Sequence, residues 1–600
     1  MYHRLMRYSC LLFVALCTLI SVNAQTENDI DTLRLWVNEL HPNPYARISE
    51  AELDSAFLVS RTKLTDTTSS LNNWELSKEF GNLLNLLEDS HTLLNVKDLG
   101  DKTADSLGVF KLRLKYFNGG LYVFKDPLNI IAPGTEIKSI GGIDILEVFA
   151  SSLAISPIEG DSYTSKVRVA EMLTGMCVLN EIGKPLKEVE ITDVKGNTYN
   201  YPIKEKEDKK KVKGVVEWVW PEEGENDIVK LKISSFSEGK ELKYYKDLNK
   251  GFKKLNKEDY DKLVIDLRGN LGGSAYRMEY LLNCLTRDSI SVPSAVVVKQ
   301  CKESKENLNQ VYKGFVKWII DKWGDDNEDM MELKNMALME VGEMDTIYYS
   351  PSNHNLKNVF DGEACLLIDG LSASASVSFA AKFRELDMGE IIGESPMGPR
   401  TGTFANPITR RLPESNISVT ISSAEFVLDS TFNRLNTPIA PDRWIQWSPE
   451  EMNLDKDPYE VAVEDWINFP EVSSSYEFKT RESALLFKEL ETVYSADREY
   501  SDKLRFEIFN YTVECDDKLD QISSGIQLIE KSNETEEEVY SKVVAKLDEK
   551  KTIIALRNSS ILIKLPAGLR PTFEELTMPG RPSVLHFGIH NRADCNVCKK

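Results

Sequence analysis

The chain has 600 residues, of which 42% are hydrophobic and 28% charged, so it is long enough for several cores and too apolar to be a disordered chain. It carries 73 basic and 95 acidic side chains, a net charge of -22, and that balance argues against nucleic acid or anionic lipid as a partner. The six histidines make a neutral-pH proton carrier a short search.

The first 24 residues read as a signal peptide, with a basic start (MYHRLMR), an apolar stretch from Tyr8 to Val22, and the small-residue site Val22-Asn23-Ala24 before Gln25. No later stretch has the roughly 18 apolar residues that a spanning helix needs. The expected product is exported, to the periplasm or beyond, with no transmembrane segment. From 25 to 105 the spacing predicts helices, with Ile30, Leu33, Val37 and Leu40 on one face and Leu76, Phe80, Leu83, Leu84 and Leu87 on another. His91 then falls at a junction, in Glu88-Asp89-Ser90-His91-Thr92. From 106 to 212 short alternating runs predict a small, mostly β domain. Residues 213–470 predict an α/β core. The alternating run Ile228–Ile233, a helical stretch at Leu242–Leu255 and the apolar run Leu263–Leu267 argue a largely parallel sheet packed on both faces. Lys305–Val341 predicts a long polar helical insertion. The region 471–600 is acidic, with helices and strands of no assigned role.

Two stretches of the core carry chemistry. Cys365–Ile368 is a buried-strand pattern, Gly370 breaks it, and Phe379, Phe383 and Leu386 recur at helix spacing. Ser374 sits in the turn between them, beside the free N–H groups of a helix start, where a nucleophile that generates an oxyanion belongs. The bland alternative is a serine that merely caps the helix. Arg268-Gly269-Asn270-Leu271-Gly272-Gly273 ends the apolar strand Leu263–Leu267 and matches neither phosphate-loop pattern, but its N–H groups can face an anion. His91, preceded by Asp89 and Ser90, is the candidate base. His586, His590, Cys595 and Cys598 are too close together and to the terminus for a usual zinc finger. Cys595 and Cys598 read as a local disulfide or the relic of a truncated domain rather than a redox site, since only Lys599 and Lys600 follow. No cofactor or metal is expected, and the oligomeric state is left unassigned.

These residues together resemble the S41 serine peptidases, which include the C-terminal processing proteases and the tricorn core protease. The likeness covers about Asn28 to Phe469 and is nearest to exported members of bacteroidete type. LVIDLRGNLGG at Leu263–Gly273 looks like the family's VIDLRGNxGG, LSASASVSFA at Leu371–Ala380 like its SASASE loop, IIGESPMG at Ile391–Gly398 like IGExTxG, and Pro438–Val463 like its PD…D ending. Pro133–Ile137 with Ser139–Gly142 resembles a peptide-binding PDZ-like domain. The resemblance implies a serine endopeptidase acting on peptide or protein substrates. It makes Ser374 the nucleophile, and Ala375 with Gly272 or Gly273 the oxyanion donors. In the tail-processing branch a lysine base follows the serine by 25 positions, where this chain has Pro399. The tricorn-like branch uses a serine-histidine pair, which Ser90-His91 resembles, and a later glutamate, for which Glu425 is the nearest upstream of the PD turn. Val377 and Pro396 also depart from the family pattern. A degenerate site that holds peptide without cutting it is the alternative.

Overall fold

The computed structural model describes residues 28–66, 72–95, 107–117, 119–160, 162–204, 214–221, 228–323, 328–428, 436, 438–445, 447–454 and 457–468. The chain divides into two compact units, 1–441 with 445–469, and 442–444 with 470–600. The elements below belong to the first. The signal-peptide reading of 1–24, the region 471–600 and the Cys595–Cys598 pair lie outside the described residues.

The N-terminal part is helical: α1 over 28–40, α2 (Glu50–Asp66) and α3 (Asn73–Asn85). Ile30, Leu33, Val37 and Leu40 share one face of α1 and are buried with Leu53 and Phe57 of α2 and Phe80 and Leu84 of α3. Asn72 caps α3 by accepting the Glu75 N–H at 2.9 Å. A turn then carries Ser90 and His91 into the short strand β1 (Leu93–Leu94).

The next part is β2 (Arg113–Phe117), β3 (Gly120–Lys125), β4 (Glu136–Ile140), β5 (Ile143–Asp144), α4 (Ile145–Ile155), α5 (Tyr163–Ile182), β6 (Glu188–Asp193) and β7 (Thr198–Pro202). Its sheet runs β2-β3-β4-β6-β7 and is antiparallel. With α4 of 11 residues and α5 of 20, it holds about as much helix as strand and is not mostly β.

The core continues with β8 (Val216–Val219), β9 (Ile228–Ile233), α6 (Glu241–Glu258), β10 (Lys262–Asp266), α7 (Ala275–Asn283) and β11 (Ala295–Lys299). The long helical insertion comes out as three short helices, α8 (Lys302–Val311), α9 (Gly314–Trp323) and α10 (Glu328–Leu338). Then follow β12 (Met344–Tyr348), β13 (Glu363–Ile368), α11 (Ala375–Glu385), β14 (Gly389–Gly393), β15 (Gly402–Ala405), β16 (Ile408–Arg411), β17 (Ser418–Ile421), β18 (Ala424–Val427), α12 (Pro449–Leu454) and α13 (Pro458–Asn468).

The sheets are predominantly antiparallel, which corrects the largely parallel core expected from the sequence. Among the strands described here, the parallel pairs are β9–β10, β10–β13 and β13–β14. β8 joins β9 antiparallel, and the sheets β12-β11-β18-β15 and β1-β17-β16 are antiparallel throughout. The reason is physical. A helix between two apolar runs returns the chain alongside its start only if the second run rejoins the same sheet. α6 returns the chain to the same sheet, as β10. After α7 it leaves, and β11 opens a second sheet with antiparallel partners.

Where the strands are parallel, alternate residues serve opposite faces. Leu263 and Ile265 pack with Leu248 and Phe252 of α6, Leu281 of α7 and Phe379 of α11. Val264 and Cys365 face the other way, toward Ala462, Val463 and Trp466 of α13. Cys365 is thus a buried small hydrophobe, as expected. The four described cysteines, Cys177, Cys284, Cys301 and Cys365, are buried and form no disulfide. Among the described residues no helix is long and apolar enough to cross a membrane.

Candidate active site

Ser374 ends the tight turn between β13 and α11 with φ +53° and ψ -118°. A non-glycine residue at positive φ is strained and needs surrounding contacts to hold it. Those contacts come mainly from the Asn270 loop. Asn270 is fully buried, and its carbonyl accepts the Ala373 N–H at 3.0 Å and the Ser376 hydroxyl at 2.9 Å. Its side-chain amide donates to the Ile233 carbonyl at 2.9 Å, and its Oδ1 accepts the Gly272 N–H at 2.9 Å. Ser372 Oγ donates to the Leu267 carbonyl at 2.9 Å, tying the same turn to the end of β10. Ser374 occupies the N-cap position of α11 but makes no side-chain cap bond, so the helix-capping reading fails.

Gly272 has φ +91°, and a Cβ placed on it would lie 2.5 Å from the Ala373 carbonyl oxygen, 2.7 Å from Ser374 Cβ and 2.9 Å from the Ala375 nitrogen. Only glycine lets the loop backbone lie this close to the turn. Gly273 joins Phe236 in a parallel bridge. The Gly272 N–H is already given to Asn270. Among the described residues, the N–H groups of Gly273 and Ala375 have no hydrogen-bond acceptor.

Ser374, Ala375, Gly272, Gly273 and His91 line one cavity of about 1210 Å³. It brings residues from both ends of the unit to one place. No hydrogen bond joins the His91 ring to the Ser374 hydroxyl; the ring's hydrogen-bond contact is Nδ1 with Ser90 Oγ at 3.4 Å. Ser90 lies behind the ring and is buried.

The acid on this side of His91 is Glu159, in the segment between α4 and α5. Its Oε2 accepts both the Ser90 N–H and the Ser90 hydroxyl at 2.9 Å. Its Oε1 accepts Arg47 Nη1 at 3.1 Å, in an ion pair buried on both sides. Glu425 stands instead on β18, paired with Val297 and Phe404. Asp89, also buried, accepts the His91 backbone N–H at 2.9 Å and His41 Nε2 at 3.2 Å. Burial pushes the Asp89 carboxyl up. The hydrogen bond and charge of His41, then His91 and Thr92, outweigh it and hold the carboxyl well below its usual range. Sequence reading missed Glu159, Arg47 and the His41–Asp89 contact. All lie in irregular segments, where no periodicity marks a partner.

Beneath the Ser374 turn, Arg168 of α5 forms a bidentate pair with Glu394, both buried, at 2.6 to 3.0 Å. Glu394 Oε2 also accepts the Gly370 N–H at 3.3 Å. Burial raises the Glu394 carboxyl, but the charges of Arg168 and Lys115 and the Arg168 hydrogen bonds bring it below the ordinary range.

The family model of peptidase family S41 matches residues 227–443. No curated protein matches the chain. Among solved structures it is similar to mature CPAF, at 12% identity and a TM-score of 0.52 over 75% of this chain and 99% of that one. A CPAF mutant with serine replaced by alanine gives 12% identity and a TM-score of 0.55, over 75% and 98%. Mature CPAF complexed with lactacystin gives 12% and 0.50, over 74% and 99%. These likenesses speak to the fold alone. The stretch that the family model matches, 227–443, contains both the Gly272–Gly273 loop and the Ser374 turn.

Proposed function

We propose that the protein is an exported serine endopeptidase in which Ser374 is the nucleophile and His91 the base. The observation that carries the reading is an uncapped serine, held at positive φ on a helix start, sharing a cavity with a histidine that an acid and a serine back on one side. Export rests on the pattern at 1–24, and a PDZ-like role for 106–212 on its sequence resemblance.

The hydrogen bonds set the tautomer. Glu159, ionised beside Arg47, only accepts, so Ser90 gives it its one proton. Toward His91 Nδ1, Ser90 can then only accept, which leaves Nδ1 protonated and Nε2 bare. A bare Nε2 takes the Ser374 proton as Oγ attacks a peptide carbonyl, and returns it to the leaving amine. The N–H groups of Gly273 and Ala375 stabilise the oxyanion, and water releases the acyl group. The Gly272 N–H is committed to Asn270 and helps only by shaping the loop.

The test is turnover of a quenched fluorescent peptide library by the full chain and by Ser374→Ala. Turnover by the first and loss of at least about 10³-fold in the second are expected. Equal turnover in both refutes the assignment of Ser374. Saturable peptide binding without turnover in either would favour the peptide-binding alternative.

A further inference from the structure

Resting on that reading, we infer that the loop 41–47, which follows α1, is a clamp on the base. Its His41 and Arg47 are positioning residues that grip the two carboxylates flanking His91. The donor atoms of Asp89, His91 and Glu159 all lie within 4.8 Å of one another. Two carboxylates beside an imidazole favour its charged form, and one seven-residue loop supplies a contact to each of the two here.

Arg47 Nη1 reaches Glu159 Oε1 at 3.1 Å and also bonds the Glu88 carbonyl, while its Nε donates to Asn436 Oδ1 at 3.1 Å. Its charge offsets that of Glu159 where little water can. His41 works differently. Its Nδ1 accepts the Asn43 N–H at 3.1 Å, so Nε2 carries the proton and gives it to Asp89 Oδ2. His41 thus donates through Nε2 and pins Asp89, and Asp89 in turn holds the His91 backbone N–H. Both gripping side chains rest on one ring, Phe404 of β15. The His41 ring centroid is 4.4 Å from it and the Arg47 guanidinium 5.3 Å above it. The Lys299 ammonium fixes the loop's start by donating to the His41 carbonyl at 3.0 Å. Across the cavity the remaining titratable residues are Glu238, Tyr276, Glu279, Tyr349 and His354, so no lysine or arginine lining it can replace Arg47.

Two readouts test this in the full chain. The first is the pH profile of kcat/KM for a cleaved peptide. The second is independent of turnover: the pH dependence of His91 carbethoxylation by diethylpyrocarbonate, read by mass spectrometry, which reports neutral imidazole. In Arg47→Met, the acid limb and the labelling midpoint both move up by about one pH unit, and Arg47→Lys restores most of the shift. His41→Gln keeps a donor toward Asp89 and moves neither by more than about 0.3 unit, a distance within ordinary scatter. A merely structural role would lower melting temperature or amplitude and leave the midpoints in place. Unmoved midpoints in a folded Arg47→Met chain overturn the clamp. If Arg47→Met does not fold, Arg47→Gln carries the same readouts. If Ser374→Ala and the unaltered chain cleave alike, the peptidase reading fails while the labelling midpoint still decides the clamp.

Discussion

Replacing Arg168 by methionine keeps most of the side-chain volume and removes one buried cation. Arg168 is 4% exposed and Glu394 2%. Arg168 also pairs with Glu171, and the half-buried Asp369 adds a further acid near Glu394. The variant therefore strands carboxylates that water cannot reach. Breaking a buried pair from one side costs about 3–5 kcal/mol. At about 2–4 °C per kcal/mol for a large domain, the melting temperature should fall by roughly 6–20 °C. The sign of the pH effect follows from Glu394, whose folded carboxyl is depressed. Its contribution is present above the ordinary carboxylate range and fades as pH falls through the depressed value. Without Arg168 the stranded carboxyl takes a proton readily, so the penalty should be largest at pH 7 to 8 and smaller near pH 5. Adding Glu394→Gln removes the stranded anion and should recover more than half of the loss. Differential scanning fluorimetry at both pH values on the unaltered chain and the two variants is the assay. A loss under 2 °C at pH 7, or one that does not change with pH, would refute the account of this ion pair.

Gly272→Ala should leave the chain folded but displace the nucleophile turn, because its Cβ would meet backbone atoms of Ala373 and Ala375 at 2.5 and 2.9 Å and cannot be relieved by a rotamer. A shift of around 1 Å at a nucleophile lowers turnover by about 10²-fold, read as kcat/KM against the same peptide. Asp89, with its carboxyl held low, should contribute stability at neutral pH that is lost on acidification below the ordinary carboxylate range. The difference in melting temperature between the unaltered chain and Asp89→Asn should therefore shrink between pH 5 and pH 3.

How much of this could be read beforehand depended on the range of the contacts. The strand, turn and helix around Ser374 are local, and apolar spacing from Cys365 to Leu386 marks them. The Gly-Gly loop likewise follows a run of buried residues, although why Gly272 must be glycine becomes visible only when the Ser374 turn is placed against it. Sheet direction was misjudged because apolar runs separated by helices say nothing about which sheet the next strand joins. β11 is as apolar as β10, yet its neighbours are β12 and β18. The backing of His91 was out of reach for another reason. Glu159 sits 69 positions from Ser90 and Arg47 sits 112 from Glu159, both in loops without a repeat. Asn270 looked like one letter of a glycine-rich turn, and its four bonds to three segments emerge only in three dimensions.

The pairing of β1 with β17 joins Leu93 to Thr420 and Leu94 to Val419. The turn bearing His91 therefore gains its seat only after more than four hundred residues have been synthesised. A nascent chain can hold a finished serine elbow for a while with no partner imidazole beside it. On the proposed reading, a chain that ends before β17 would lack a seated base, whatever the state of its Ser374 turn.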